Sequence, residues 1–459
     1  MSAEADLSAP LPRGLVVGVA TSATQVEGAT QADGRGASIW DELAQTPGKI
    51  VGGDTPELAC DHFHRWAEDV ALLAELGVDA YRLSISWPRV FATGAEQTPN
   101  PAGLDFYDRL VDALLARGVT PWVTLYHWDL PAALQARGGW TSRETVSAFE
   151  RFAEAVVGRL GDRVKRWCTI NEPWCAAVLG HETGQHAPGL TDRAAALAAA
   201  HHLLLAHGRA VPIVRALSPG GQVGIAANPV IAYPASNSAI DLAAAERFHA
   251  WFNRWFLDPI YGRGYPAQIV AEEVAAGRWP EEGPAWLKPG DLDEMACPTD
   301  FLGVNYYSRG ILRGPEEGNL PRVLHEVPAE ERTDMGWEVY PDGLTDLLTL
   351  LHREYAPPAL VITECGAAWG DAPGPDGRVR DQRRLNFLAS HLRAAGRAIE
   401  AGAPLTAFFI WSFLDNFEWN EGFGRRFGLV WVDFSTQQRV IKDSGLWLRE
   451  RLRARSRGM

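Results

Sequence analysis

Eight short apolar runs, separated by longer helix-forming stretches, constrain this chain more than any other feature. They are Leu15–Val19, Ala80–Ile85, Thr120–Tyr126, Arg166–Ile170, Gln222–Ala226, Phe301–Val304, Ala359–Thr363 and Thr406–Trp411. A strand with one wet face alternates apolar and polar residues. Runs without that alternation suit parallel strands buried on both faces. Between them, Asp69–Leu76 sets Val70, Leu73, Ala74 and Gly77 on one side of a helix. Phe106–Leu115 and Ser147–Leu160 repeat the spacing, and Ala194–Ala210 is rich in strong helix formers. Gly77, Gly118 and Gly402 are placed to stop three helices just ahead of strands two, three and eight.

Eight strand–helix units predict a closed (β/α)8 barrel with its active site at the C-terminal ends of the strands. Residues 14–448 would form one catalytic domain, with tails at 1–13 and 449–459. An open doubly wound sheet is the alternative, but no Gly-x-Gly-x-x-Gly turn supports it. The stretch from Gly18 to Gly28 carries Ser, Thr, Gln25 and Glu27 instead. Gly314–Thr333 and Ala372–Asp381 are rich in Pro, Gly and charge, and read as loops after strands six and seven.

Composition narrows the partners. A net charge of −14 disfavours nucleic acid and anionic membranes, which attract basic patches. The stretch Met1–Gly14 lacks a cationic start followed by an apolar segment, so no secretory signal is expected. No run approaches membrane-spanning length. Cys60, Cys168, Cys175, Cys297 and Cys365 are few and never spaced Cys-x-x-Cys. They predict neither a disulfide framework nor a zinc site, and a reducing cytoplasm is the default. No cofactor or metal is expected. The expected partner is a neutral small molecule, with a homo-oligomer left open. The 18 Trp, mostly structural, include flat apolar faces that suit sugar rings.

The chemistry should sit where polar residues end the runs. Glu172 follows strand four in Thr169-Ile170-Asn171-Glu172-Pro173, and Glu364 ends strand seven in Ile362-Thr363-Glu364. In an eight-membered ring these strands stand three places apart, so their end residues can face one another. Two carboxyls across one bond are what glycoside hydrolysis needs. Either Glu alone would be read as an ordinary surface carboxylate. Strand two adds Arg82, strand three His127-Trp128, and strand six Asn305-Tyr306-Tyr307. Strand eight adds Trp411, followed by Glu418-Trp419. Hydrogen-bonding groups beside indoles are what a sugar pocket requires.

On these residues the chain resembles glycoside hydrolase family 1. Val19-Ala20-Thr21-Ser22 with Gln25 and Glu27-Gly28 is similar to the family's N-terminal signature. Ser38-Ile39-Trp40-Asp41 and Tyr81-Arg82-Leu83-Ser84-Ile85-Ser86-Trp87 also match its pattern. The segment 169–173 resembles its acid/base motif, and 362–364 its nucleophile motif. The likeness runs from about residue 14 to about 448.

The resemblance implies a retaining β-glucosidase that forms a covalent glycosyl-enzyme. Glu364 would be the nucleophile and Glu172 the acid, then the base. Arg82 and Tyr307 would stabilise Glu364. Gln25, His127, Trp128, Asn171, Asn305, Trp411, Glu418, Trp419 and Phe427 would bind substrate. Trp174, His181, His186 and Trp337 would line the leaving-group side. Glu418-Trp419 stands where phospho-β-glycosidases of the family carry sugar-phosphate ligands, which favours unphosphorylated sugars. Glu172, where thioglucosidases have Gln, favours O-glycosides. The chain departs from the family at three places: Val17 for Trp and Thr24 for Tyr, neither expected to do chemistry, and Cys365 for Asn. Cys365 cannot reproduce an amide's hydrogen bonds, which puts the setting of Glu364 in question. No His/Asn partner motif supports Cys365 as a nucleophile. The alternatives are broad β-galactosidase/β-fucosidase specificity and a catalytically silent sugar-binding barrel.

Overall fold

The computed structural model describes residues 6–315, 322–323, 327–328 and 331–457. Its centre is a closed, all-parallel barrel. The strands are β1 (Val16–Ala20), β2 (Ala80–Ser84), β3 (Thr120–Tyr126), β4 (Arg166–Asn171), β5 (Gln222–Ala227), β6 (Phe301–Tyr306), β7 (Leu360–Cys365) and β8 (Leu405–Trp411). Each pairs with its chain neighbours, and β1 closes the ring on β8, Val16 opposite Ala407 through Ala20 opposite Trp411. The expected strands are all present. Five of them run further than their apolar runs, to Ala20, Asn171, Ala227, Tyr306 and Cys365. The added residues include Asn171, Asn305 and Glu364, polar groups that hid the strand ends from a reading based on apolarity.

The barrel is packed from within. Trp122 meets Phe301 and Phe409 edge-to-face, with ring centroids 5.6 and 5.0 Å apart. The rings fit because small residues face them: a Cβ on Gly18 would lie 2.6 Å from Phe409. Outward residues such as Val17, Leu83, Leu125, Ile225, Ile362 and Phe408 join the helices in a second, larger core. Long helices cover the strands, among them His62–Leu76, Pro101–Ala116, Arg143–Leu160, Arg193–Leu217 and Gln382–Glu400. Asn100, Ser142 and Asp192 cap three of their starts by accepting backbone N–H bonds. Gly77, Gly118 and Gly402 end helices as expected, each at a positive φ of 70 to 94°.

Two expectations about extent meet a different structure. The boundary at 448 falls inside the helix Asp443–Ser456, whose Leu448 and Leu452 are buried. The helix is strongly charged, which disguised it as a tail. At the other end, Leu11 is buried, and Leu7 O accepts a bond from Trp447 Nε1 at 3.0 Å. The segment before β1 is thus docked. The loop 372–381 follows β7 as expected, though its Val379 and Asp381 are buried. The loop expected over 314–333 lies largely outside the described residues. The Cys residues are all free, and no described helix is long and apolar enough to cross a membrane.

Candidate active site

The C-terminal ends of the strands open into a cavity of about 600 Å3. Glu172 and Glu364 both line it. Their strands each break register close to the carboxyls: β4 between Cys168 and Asn171 on the β5 side, β7 between Ile362 and Glu364 on the β6 side. An irregularity of this kind disrupts the two-residue alternation and re-aims side chains. Thr363 and Glu364, though adjacent, therefore both reach groups at the mouth: Thr363 Oγ1 donates to Asn305 Oδ1 at 2.6 Å, and Glu364 accepts from Arg82. Glu172, Trp128 and Trp419 line the cavity with φ of 46, 73 and 50°. Left-handed backbone at such residues costs about 1–3 kcal/mol each and concentrates at functional sites.

The two carboxyls have unequal surroundings. Glu364 Oε1 accepts from Arg82 Nη1 at 2.6 Å and Oε2 from the Tyr307 hydroxyl at 2.7 Å. Glu172 Oε1 accepts from Asn305 Nδ2 at 2.7 Å, an uncharged donor. Burial and the nearby negative charge of Glu364 push the Glu172 carboxyl up to about 7. Burial also pushes Glu364 up, but Arg82 and the Tyr307 hydroxyl pull against it. Of the pair, Glu172 is therefore the one that keeps a proton near neutrality, and Glu364 the one held as an anion.

Asn171 orders the groups behind them. Its Oδ1 accepts from Arg82 Nη2 at 2.7 Å and Asn305 Nδ2 at 3.1 Å, which fixes its amide. Its Nδ2 must then donate to His127 Nε2, 3.0 Å away. Burial and the Arg82 charge hold His127 well below its usual range, so it is neutral. With Nε2 accepting, the ring proton sits on Nδ1, which has no partner among the described residues. Arg82 lies in the middle of β2 rather than at its end, and its long side chain makes up the difference.

The loop after β8 completes this end. Gln25 Nε2 donates to Glu418 Oε2 at 3.2 Å and to Asn416 Oδ1 at 3.1 Å. Burial and the charges of Glu364 and Glu172 push Glu418 up to about 8. The rings of Trp411 and Trp419 lie nearly parallel to His127, each centroid 6.0 Å from it. Beneath the loop, buried Asp415 meets Lys442 at 2.8 Å and Arg426 at 2.9 Å. Lys442 also meets Asp371 at 3.0 Å, and Arg384 meets Asp381 at 2.7 Å and Asp371. Three cations and three carboxylates thus neutralise each other below the loop that carries Glu418.

Every residue expected to bind substrate is either on the cavity wall or bonded to a residue that is. Trp128 donates from Nε1 to Asn171 O at 2.9 Å, and Phe427 and Trp337 stand beside Tyr307. Trp174 and His186 line the cavity too, but His181 does not. His181 is buried, its Nδ1 tied to Ala176 O at 3.0 Å, and it packs behind Trp128 with Trp40 and Trp140. Cys365 is fully buried in the outer core and burial pushes its thiol well up. It acts there as a small apolar side chain, while Glu364 keeps both of its partners. The sequence reading missed the far wall, formed by Val230, Phe248, Trp251 and Phe252 of the segment between β5 and β6. The aromatic density of Phe248-His249-Ala250-Trp251-Phe252 was the available signal.

One carboxyl tied to a cation and one not, facing into a single cavity, is the equipment of glycoside hydrolysis, and the barrel mouth is where this fold does its chemistry. The protein is a glycoside hydrolase. Similarity to known proteins narrows it further: the chain belongs to glycosyl hydrolase family 1, whose sequence profile matches residues 7–456. Beta-glucosidase A of Thermotoga maritima is 45% identical over 440 residues, covering 95% of this chain and 96% of that protein. The crystal structure of the AHE enzyme from Alicyclobacillus herbarius is 48% identical with a TM-score of 0.91, covering 97% and 99% of the two chains. The Thermotoga maritima beta-glucosidase in complex with glucoimidazole is 44% identical, also with a TM-score of 0.91 and the same coverage.

Proposed function

We propose that this enzyme is a β-glucosidase that removes nonreducing-end β-D-glucosyl residues from unphosphorylated glycosides with retention of configuration. The observation that carries the assignment of roles is the unequal bonding of the carboxyls. Glu364, held by Arg82 and Tyr307, is the nucleophile. Glu172, held by the uncharged Asn305 amide and Cys175 thiol, is the proton donor.

In the first step Glu364 attacks C1 while Glu172 gives its proton to the glycosidic oxygen. The C1–O bond breaks, the alcohol leaves, and a glycosyl ester forms on Glu364. That ester is neutral. The charge that helped raise Glu172 is gone, so Glu172 stays ionised and can take a proton from water. The water attacks C1, and Glu364 leaves as the anion that Arg82 stabilises. Gln25, His127, Asn171, Glu418 and Trp419 bind the sugar hydroxyls, with Trp411 beneath the ring. Glu418 at this end would meet a sugar phosphate with a carboxyl instead of a cation. The Gln25–Glu418 pair offers both a donor and an acceptor, which supports β-galactosides and β-fucosides as secondary substrates.

The likeness to the Thermotoga maritima enzyme supports the glucoside reading, and the free, mostly buried cysteines support a reducing cytoplasm. We take residues 7–456 as one folded unit, since both ends dock on the barrel. Incubation with a 2-deoxy-2-fluoro-β-glucoside bearing a good leaving group tests the roles. Mass spectrometry should find the label on Glu364, and NMR of ordinary turnover should show β-glucose first. Early α-glucose, or a label elsewhere, would overturn the assignment.

A further inference from the structure

The cavity has two chemically different ends. Around the carboxyls, every wall offers hydrogen-bonding groups. Further out, the lining turns apolar: Trp174, Val230, Phe248, Trp251, Phe252 and Met335. Three of these rings form a ladder. Phe252 lies 4.2 Å from Trp174 between centroids, tilted 30°, and 5.0 Å from Phe248, tilted 15°. Phe248 and Phe252 are four positions apart on continuous helical backbone, which puts them on one face. The ladder is held still by Asn253. Its buried amide donates to Val230 O at 2.8 Å and accepts from Val230 N at 2.9 Å, joining the helix to the loop after β5.

Among the described residues, most polar groups at this end are already engaged, the Trp174 Nε1 and His186 Nδ1 atoms being the unpartnered ones. Arg309 gives two N–H bonds to Glu338, at 2.8 and 2.9 Å, and lies 3.6 Å over the Tyr340 ring. Ser308 Oγ donates to Glu338 O at 3.0 Å. Glu421 is bonded to Asn420 at 3.3 Å and Arg425 at 3.1 Å, and Asn228 Nδ2 points to Cys175 Sγ at 3.4 Å. Beyond those two groups, a second hexose here would set its hydroxyls against rings, or break these pairs, and an unpaired buried hydroxyl is costly. A flat or flexible apolar group would meet no such penalty and would gain by leaving water.

We propose that the outer end of the cavity selects an apolar aglycone, aryl or alkyl, over a second sugar, and that Phe252 and Phe248 set that preference. The proposal rests on reading the inner end as a β-glucosidase site. A series of n-alkyl β-D-glucosides from methyl to octyl isolates the effect, because every member releases a simple primary or methyl alcohol with nearly the same need for a proton from Glu172. The wild-type kcat/KM should rise about threefold per methylene until the wall is covered, and octyl glucoside should exceed cellobiose by about 100-fold. Phe252→Ser should cut the octyl-to-methyl ratio by about tenfold. Phe248→Ser should lower the same ratio, and serves if the first variant does not fold. A flat wild-type series, cellobiose as the better substrate, or an unmoved ratio in both folded variants would overturn the proposal. Absence of turnover on the whole series, on cellobiose and on 2,4-dinitrophenyl β-glucoside would instead overturn the glucosidase reading beneath it.

Discussion

The inner and outer ends of the cavity are built by different means. The inner end hangs on barrel strands: Arg82 from β2, Asn305 from β6 and Glu364 from β7, with Glu172 directly after β4. Its groups are cross-bonded into one network, so their directions are fixed before substrate arrives. Preformed donors and charges of this kind act most strongly on the transition state. The outer end hangs on the segment between β5 and β6 and offers rings rather than charges. Apolar contact grips substrate and transition state about equally, so it appears in KM and in the choice between substrates. The rate is set by the strands and the preference by the inserted helices.

The comparison can be broken at its strongest point first. Glu364→Ala should lower kcat on every glycoside by about 10^5-fold, whatever the aglycone. Steady-state rates on 2,4-dinitrophenyl β-glucoside check this, and a loss below 100-fold would put the nucleophile elsewhere. Glu172→Ala should cost about 10²–10⁴-fold on methyl β-glucoside, and far less in the first step with a dinitrophenyl leaving group, which needs no proton. Added azide should then speed turnover and yield a β-glycosyl azide, whereas an α-azide would contradict retention. Lys442→Met removes one member of the buried ion network under the Glu418 loop. It should reduce unfolding stability by about 3–5 kcal/mol in urea titrations, because Asp415 and Asp371 lose a partner. Activity of the folded fraction should fall for all aglycones alike; a shift in the octyl-to-methyl ratio would show that the two ends are not separate.

The smallest effect concerns protons. With Glu172 raised to about 7, kcat/KM should fall as pH climbs through that value, because the carboxyl that must donate has lost its proton. In Glu364→Gln, the neighbouring charge that contributes to the shift is absent. Glu172 should then titrate lower than in the parent enzyme, by NMR of labelled glutamate carboxyls. An unmoved or higher titration would mean that the two carboxyls do not sense each other.

How much of this was legible in the sequence follows the same division. The barrel was readable because two-sided burial forces continuous apolar runs, and the inner end because its polar residues interrupt those runs at matching places. The same interruption hid the true ends of β4, β6 and β7. His181 was misplaced because a residue near the site looks alike whether it faces the cavity or, bonded to Ala176 O, faces away. Phe248, Trp251 and Phe252 were passed over because aromatic residues on helices read as core; only the packing of that segment beside Trp174 turns them toward the cavity. The ion network was invisible for another reason: Asp371, Arg384, Asp415, Arg426 and Lys442 come from separate loops and helices, and nothing local marks them as partners.

The seam between β1 and β8 has a consequence for synthesis. These are the first and last staves of the barrel, and Gln25 and Glu418, bonded at 3.2 Å, follow them in the chain. A ribosome adding about 5–20 residues per second needs roughly 20–80 s to travel from one to the other. Throughout that interval the first strand has an unpaired edge and the sugar-binding end lacks a wall. No chain that stops short of β8 can be a weaker version of the enzyme, because the last barrel strand made both closes the barrel and leads to Glu418, which meets Gln25.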